Sequence, residues 1–334
     1  MSEPITVGVF GAAGYTGQEL IALLARHPHV ALRFATSNQD AGQPVPGTDL
    51  LYQEHEAVVP EEVDAVFLAL PHTASAPVAA RAASAGVRVI DLSADLRLRT
   101  PEAYAQWYGV PHPAPHLLPV PYGLPEVNRA AIVGAQVVAN PGCYPTATLL
   151  GLYPLLAAHA LAPGAPIIVD AKSGVSGAGR SPKPHLHFVE VFGNLSPYNV
   201  GRVHRHTGEM EQEIARLDGV GGPLIFTPHL LPVDRGMMAT IYVQLAAPWS
   251  AVALQSLYEE TYAAEPLVTV LPAGQLATLR HTLRRNTCAI SVTPVTGTHA
   301  VIVSTIDNLL KGASAQAVQN FNLMFGLPET TALL

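Results

Sequence analysis

The glycine spacing Gly8-x-x-Gly11-x-x-Gly14-x-x-Gly17 constrains the fold of this chain most. It begins inside an apolar run, Ile5 to Phe10, that reads as a buried strand. Leu20, Leu23 and Leu24 then recur at helical spacing. A strand, a glycine-rich turn and a helix make the first unit of a dinucleotide-binding fold. Glycines let backbone approach a pyrophosphate, which rests on the helix N-terminus. The candidate contacts are Gly11, Ala13, Gly14, Tyr15, Thr16 and Gly17. Tight packing alone is the competing reason for such glycines. No Gly-Lys-Ser/Thr follows, so the turn is not a P-loop.

The second strand, Ala31 to Ala35, ends in Thr36-Ser37-Asn38-Gln39, with no acidic residue before Asp40. A site for NAD usually carries a carboxylate here for the ribose 2′-OH. Ser37 and Asn38 instead suit a 2′-phosphate and favour NADP, although no arginine stands in the turn; the alternative is an ordinary turn. Ala65 to Leu70 reads as a further buried strand, broken by Pro71-His72-Thr73. An alanine-rich helix runs to about Ala85, and Val87 to Leu92 is the next strand. It leads into Asp91-Leu-Ser-Ala-Asp-Leu-Arg97, where an open α/β sheet binds ligands. Arg97 can clamp an anion bidentately or pair with Asp91 or Asp95. Residues 109 to 125, rich in proline, read as an ordered surface loop.

Val137-Val138-Ala139 reads as a strand and 148–158 as a helix. Between them Asn140-Pro-Gly-Cys-Tyr-Pro-Thr146 sets Cys143 at or just before the first helical turn. Unpaired backbone N–H groups and the positive end of the helix dipole favour a thiolate there. The competing reading is a buried structural cysteine. Ile167 to Ala171 is then a strand, and 172–180 a flexible polar loop. A stretch of little periodicity, 181–201, leads to His204-Arg-His206 and a helix to about Leu217. Strands are expected near 224–227, 239–245, 289–295 and 300–306, with a helix near 252–264. Strands grouped with few helices predict an α+β second domain with a mixed sheet. The expected divisions are 1–145, 146–307 and 308–334, the last a helix returning to the first domain.

Composition narrows the function classes. At 334 residues two domains are the natural expectation. Only 13% of residues are charged and the formal net charge is -7, which argues against a nucleic-acid binder. Two cysteines are too few for a disulfide framework or a cysteine-based zinc site, and a reducing cytoplasm is the simpler setting. No apolar run reaches membrane-spanning length. The chain enters its first strand without a basic leader or cleavage site. Fourteen histidines invite a metal, yet His185-x-His187 and His204-x-His206 lack further ligands at metal-site spacing, so none is expected.

A nucleotide fold, a candidate thiolate, a histidine and several arginines fit a phosphorylating aldehyde dehydrogenase. Six motifs occur in order: Gly11–Gly17, Asp91–Arg97, Asn140–Thr146, Ser173-Gly-Val-Ser-Gly-Ala-Gly179, His204–His206 and Asp307-Asn-Leu-Leu-Lys-Gly-Ala313. Over nearly the whole chain the sequence resembles the N-acetyl-gamma-glutamyl-phosphate reductases of the aspartate-semialdehyde dehydrogenase group. The resemblance implies Cys143 as nucleophile and His206 as acid/base, with His204 second. It implies a substrate phosphate on Arg97, with Asn140, Ser173 and Arg205 also at the substrate. Ser176, Gly177, Asn308 and Gly312 would lie against the dinucleotide. Ser314-Ala315 departs from the family's usual Ala-Gly before Gln316. The implied reaction is NADPH-dependent reduction of a small acyl phosphate in arginine biosynthesis, by a cytoplasmic homodimer or homotetramer. Two alternatives stand beside it. One is the lysine-biosynthesis relative, whose substrate rides on a carrier protein and which tends to lack Tyr-Pro after the cysteine; Tyr144-Pro145 speaks against it. The other is a nucleotide-binding regulator that has lost catalysis.

Overall fold

The computed structural model describes residues 3–218 and 222–334; Met1 and Ser2, part of the expected leader-free start, lie outside them. The chain divides into two compact units. One comprises the residues up to Gly142 together with Ala313–Leu334, and the other is Cys143–Gly312. The divisions thus fall after Gly142 and after Gly312, against the expected 145 and 307.

The first unit contains β1 (Ile5–Phe10), α1 (Tyr15–Leu24), β2 (Val30–Thr36), β3 (Tyr52–Gln53), β4 (Ala65–Leu68), α2 (Ser75–Ser84), β5 (Arg88–Asp91), α3 (Pro101–Tyr108), α4 (Pro125–Ile132) and β6 (Val137–Ala139). Its six strands run in the order β3-β2-β1-β4-β5-β6, and all pair in parallel. This is the doubly wound order of a dinucleotide-binding sheet. Val7, Val9, Val66, Leu68, Val89 and Ile90 are fully buried, as a sheet covered on both faces requires. Gly8 owes its place to packing: a Cβ there would sit 2.0 Å from the Phe34 ring, and the β1–β2 register shifts at that residue.

The proline-rich stretch is less of a surface loop than its composition suggests. Tyr122 and Leu124 are buried, and Tyr122 bridges Ala139 in parallel. Pro125 opens α4, where its missing N–H costs nothing.

The second unit contains α5 (Cys143–Ala157), β7 (Ile167–Gly174), a short α6 (Phe188–Val191), β8 (Ser196–Pro197), α7 (His206–Leu217), β9 (Leu224–Leu231), β10 (Met237–Gln244), α8 (Ala251–Tyr262), β11 (Val268–Val270), β12 (Cys288–Thr296) and β13 (His299–Ile306). Its sheet runs β11-β12-β13-β10-β7-β9-β8 and is mixed: β7/β9 and β11/β12 are parallel and the other pairs antiparallel. Helix α5 lies against β10 and β13 and is buried on nearly every residue, so it is apolar all round. Pro154 inside it removes the backbone donor to Leu150 O, and the Tyr262 hydroxyl donates to that carbonyl instead.

The expected flexible loop at 172–180 is largely regular. Lys172, Ser173 and Gly174 complete β7 because β9 and β10 pair with it on either side, and Val175–Ala178 form a 3₁₀ turn. After β13 the chain makes a π turn at Leu310–Ser314 and enters α9 (Ala315–Met324). Helix α9 belongs to the first unit, where it packs on α1, α4 and β5.

Candidate active site

In the first unit the predicted residues gather at the carboxyl ends of the parallel strands. Gly11 has φ +73°, and a Cβ there would lie 2.4 Å from Ala69 O. A Cβ on Gly17 would lie 2.5 Å from Gly11 O. These two glycines are forced by the chain's own backbone. Gly14 differs: its φ of -67° and ψ of 162° suit any residue, and the nearest atom to an added Cβ is Gly11 O at 3.7 Å. Gly14 is the N-cap of α1, whose first turn (Tyr15, Thr16, Gly17) carries no side-chain cap and no acidic residue. A glycine that internal packing does not demand, at an uncapped helix start, fits a pyrophosphate.

Ser37 is buried; its hydroxyl donates to Asp40 Oδ2 at 2.9 Å and accepts from Asp40 N–H. Asn38 Oδ1 accepts from His55 N–H at 2.7 Å. Arg97 is 9% exposed; its Nε donates to Asn140 O and its Nη2 to Leu92 O, both at 2.9 Å. Asp91 accepts from the backbone N–H and hydroxyl of Ser93, and Asp95 from Thr73 N–H, Ala76 N–H and the Tyr104 hydroxyl. Burial pushes the Asp91 carboxyl up to about 6 against the pull of those Ser93 bonds. Asn140 is fully buried and its side chain is engaged, donating to Ala313 O and accepting from Asn320 Nδ2.

In the second unit Cys143 is the first residue of α5 and is partly accessible; neither cysteine forms a disulfide. The ring of Tyr144 is the hub of an aromatic cluster. It meets His204 edge-on at 5.4 Å, His206 at 6.0 Å and Phe226 at 5.2 Å. His204 and His206 lie 4.9 Å apart, and the Tyr198 hydroxyl donates to the Tyr144 hydroxyl at 2.9 Å. The fold therefore brings the histidine motif to the residue next to Cys143. His204 Nδ1 accepts from His206 N–H at 3.2 Å, so a neutral His204 carries its proton on Nε2. Burial, reinforced by the neighbouring Arg205 charge, lowers His204 to about 4. Burial raises the phenols of Tyr144 and Tyr198. Arg205 is exposed at the N-cap of α7.

Ser173, Ser176, Gly177 and Asn308 form a second group. Asn308 Nδ2 donates to Ser176 Oγ at 3.0 Å, and its Oδ1 accepts from Gly236 N–H at 2.7 Å. A Cβ on Gly177 would lie 3.0 Å from Ser173 Oγ. Gly312 sits in the π turn, its N–H donating to Asp307 O at 2.9 Å. A Cβ added to it would come within 2.9 Å of Cys143 Cβ.

The sequence reading missed Tyr198 and Phe226, and it saw Tyr144 only as a motif residue. Tyr198 lies in a segment without periodicity, so nothing in the pattern marks it. His185 and His187 are exposed and stand outside the cluster. Among the described residues no three metal-ligating side chains converge.

Residues 6–135 match the model of the semialdehyde dehydrogenase NAD-binding domain, and 143–308 that of the semialdehyde dehydrogenase dimerisation domain. Relatives named N-acetyl-gamma-glutamyl-phosphate reductase are 49% identical in both Desulforudis audaxviator, over 99% of this chain and 98% of that one, and Geobacter sulfurreducens, over 98% of each. The chain belongs to the N-acetyl-gamma-glutamyl-phosphate reductase family. Membership makes it an oxidoreductase and a phosphorylating aldehyde dehydrogenase, as the order of the motifs implied. Aspartate semialdehyde dehydrogenase II of Vibrio cholerae shares the fold, with a TM-score of 0.77 at 21% identity over 97% of this chain and 99% of that one. A Candida albicans aspartate semialdehyde dehydrogenase crystallised with NADP has a TM-score of 0.71 at 16% identity, over 97% and 99% of the two chains. Among the described residues no helix is long and apolar enough to cross a membrane.

Proposed function

We propose that this enzyme reduces N-acetyl-L-glutamyl 5-phosphate to N-acetyl-L-glutamate 5-semialdehyde through a thioester on Cys143, in arginine biosynthesis. The observation that carries the reading is the meeting of the His204–His206 motif with Tyr144, next to a cysteine that opens a helix. The names of relatives about half identical to it supply the substrate.

Backbone dipoles at the start of α5 favour the thiolate. The Cys143 sulfur attacks the acyl carbon; the carbon–oxygen bond to phosphate breaks, and inorganic phosphate leaves a thioester. Backbone N–H groups at the helix start stabilise the oxyanion as it forms. Arg97 holds the substrate phosphate, and Asn140, Ser173 and Arg205 complete the substrate's surroundings. The Gly11–Gly17 turn, Ser176 and Gly177 would hold the dinucleotide, with Asn308 and Gly312 against its nicotinamide, and the cofactor would supply the hydride for the thioester. As the carbon–sulfur bond breaks and the aldehyde forms, His206 delivers a proton to the departing Cys143 thiolate. His204, neutral at physiological pH and bonded to His206 N–H, steadies its partner.

Ser37 and Asn38 follow β2 with no acidic residue before Asp40, which favours NADP. Asp40 is tied to the Ser37 hydroxyl, a bond that must loosen if Ser37 is to meet a 2′-phosphate. The test is phosphate-dependent reduction of NADP with N-acetylglutamate semialdehyde. Turnover should need inorganic phosphate and run far better with NADP than with NAD. Turnover without phosphate would remove the acyl-phosphate reading. A preference for NAD would remove the reading of Ser37 and Asn38.

A further inference from the structure

Asp307 opens the last of the sequence motifs, yet no step above uses it. It is fully buried, and donors converge on it. Its Oδ1 accepts from Leu309 N–H at 3.0 Å and from Leu310 N–H at 3.2 Å. Its Oδ2 accepts from Arg284 N–H at 2.8 Å and lies 3.0 Å from Nε of Arg235, which is also buried. Its backbone oxygen accepts from Gly312 N–H at 2.9 Å. One residue thus closes the turn 307–312 from both ends.

That turn is the backing of Cys143. A Cβ added to Gly312 would lie 2.9 Å from Cys143 Cβ, 3.1 Å from Ile306 Cδ1 and 3.2 Å from Asp307 O, so a shift of the turn moves what the cysteine packs on. The segment bearing Arg235 is itself fixed. Gly236 O accepts from Gly174 N–H at 2.8 Å, Asp234 O accepts from Ser176 N–H at 3.0 Å, and a Cβ on Gly174 would lie 2.7 Å from Arg235 Cα. Asn308 ties the turn to the same segment through Gly236 N–H. Arg284, which donates to Asp307, holds φ +59°, a left-handed conformation that a non-glycine residue keeps only where its surroundings over-determine it. Stability alone does not account for a buried ion pair here. Well-packed apolar residues often serve as well or better, because both charges must be stripped of water. What an aspartate supplies is acceptor capacity: an ionised carboxylate accepts at both oxygens, whereas asparagine, of the same shape, has one acceptor and one donor.

We propose that Asp307 is a positioning residue for the reaction: with Arg235 fixing its carboxylate, it holds Gly312 against Cys143 and so sets where the nucleophile stands. Asp307 acts through the turn, and Arg235 acts through Asp307. The proposal rests on the reading of Cys143 as nucleophile.

The test compares three full-length proteins: wild type, Asp307→Asn and Asp307→Asn/Arg235→Met. Whichever way the asparagine lies, its amide nitrogen faces donors on one side, so the turn loosens. In the single variant kcat should fall about a hundred-fold, the scale for a misplacement of ~1 Å, while KM for the semialdehyde and for inorganic phosphate stays within about three-fold. Amide hydrogen exchange in the cofactor-free protein reads the turn without turnover. Peptides covering Leu309–Gly312 should exchange about a hundred-fold faster, and those of β10 should not change. The single variant should also melt lower, since a buried cation has lost the carboxylate it faces. The double variant separates positioning from stability. Removing that cation should restore most of the melting temperature, yet kcat should stay low and the turn should still exchange fast. Unchanged exchange in the turn, a loss carried by KM, or a kcat that returns together with the melting temperature would overturn the proposal. Turnover that survives Cys143→Ser would instead sink the reading of the nucleophile, and the exchange measurement would still report whether Asp307 holds the turn.

Discussion

Two helices begin at the ends of parallel strands, after turns of three or four residues, and they are built for opposite purposes. Helix α1 follows β1 and presents bare backbone: Gly14 caps it, and neither a side-chain cap nor a carboxylate stands in its first turn. Helix α5 follows β6 and presents a side chain, since Cys143 is its first residue. Both starts offer the positive end of a helix dipole. On the reading proposed above, the first start offers it to the dinucleotide, with side chains kept away. The second offers it to the Cys143 thiol, with Gly312 packed against the cysteine Cβ. Glycine serves differently at the two starts. At Gly14 the nearest atom to an added Cβ is Gly11 O at 3.7 Å, so packing leaves the position open. At Gly312 an added Cβ would come within 2.9 Å of Cys143 Cβ.

The largest expected effect separates the two starts outright. Cys143→Ser should abolish turnover, because a serine hydroxyl at this position lacks an accessible anion near neutral pH. Dinucleotide binding, measured by fluorescence titration, should stay within about two-fold, since α1 is untouched. Weakened binding on the same scale as the lost activity would mean that the two starts are not independent.

Next comes His206, the proposed proton donor. His206→Asn should slow turnover by roughly a hundred-fold or more, the scale for losing a positioned acid/base group. It should also raise the pH at which iodoacetamide reacts with Cys143, the outcome expected of the proposed imidazole–thiolate pair. His204→Asn should cost less. A larger loss at His204 would reverse the roles within the pair.

The two glycines then test the comparison directly. Gly312→Ala should slow alkylation of Cys143 in the cofactor-free enzyme by about ten-fold, because the new methyl must displace the cysteine Cβ. Gly14→Ala should leave alkylation unchanged and raise KM for the dinucleotide by about ten-fold, roughly 1.4 kcal/mol of lost backbone approach. If both substitutions act only on cofactor affinity, Gly312 serves the dinucleotide alone.

The same contrast explains what could be read from the sequence. The first unit declared itself because a parallel sheet buries both faces of each strand, so apolar runs and glycine turns stand out along the chain. Strand β1 spans Ile5–Phe10 as expected. The start of α5 was equally legible, because Pro141, Gly142 and Pro145 punctuate it. The strand at Lys172–Gly174 was not, because its regularity comes from β9 and β10, which are distant in sequence. Tyr198 was hidden for a similar reason: a hydroxyl bonded to Tyr144 across fifty-four positions leaves no periodic trace. Gly8 shows the limit of spacing alone: it fits the glycine pattern, yet the Phe34 ring is what requires it.

The smallest expected effect concerns stability and not rate, and it asks whether the second helix start depends on a neutral histidine beside it. Burial holds His204 at about 4, below the ordinary value of 6.5. Between those two values the unfolded chain binds a proton at this residue that the folded chain does not. The stability contributed by the neutral ring is therefore fully present above pH 6.5 and is lost as pH falls through 4. His27 and His55 are also lowered by burial and add to the same acid slope, so the wild-type curve alone cannot isolate the effect. The difference between wild type and His204→Gln can. Urea midpoints of the two proteins should run parallel above pH 6.5 and converge as the pH is lowered toward 4, because glutamine has no proton to gain. The convergence should amount to no more than one proton's linkage, and it should be the same in high salt, since burial is its first cause and the Arg205 charge its second. Midpoints that stay parallel throughout would mean that the His204 ring is solvated, and that the aromatic cluster around Tyr144 is looser than its ring distances imply.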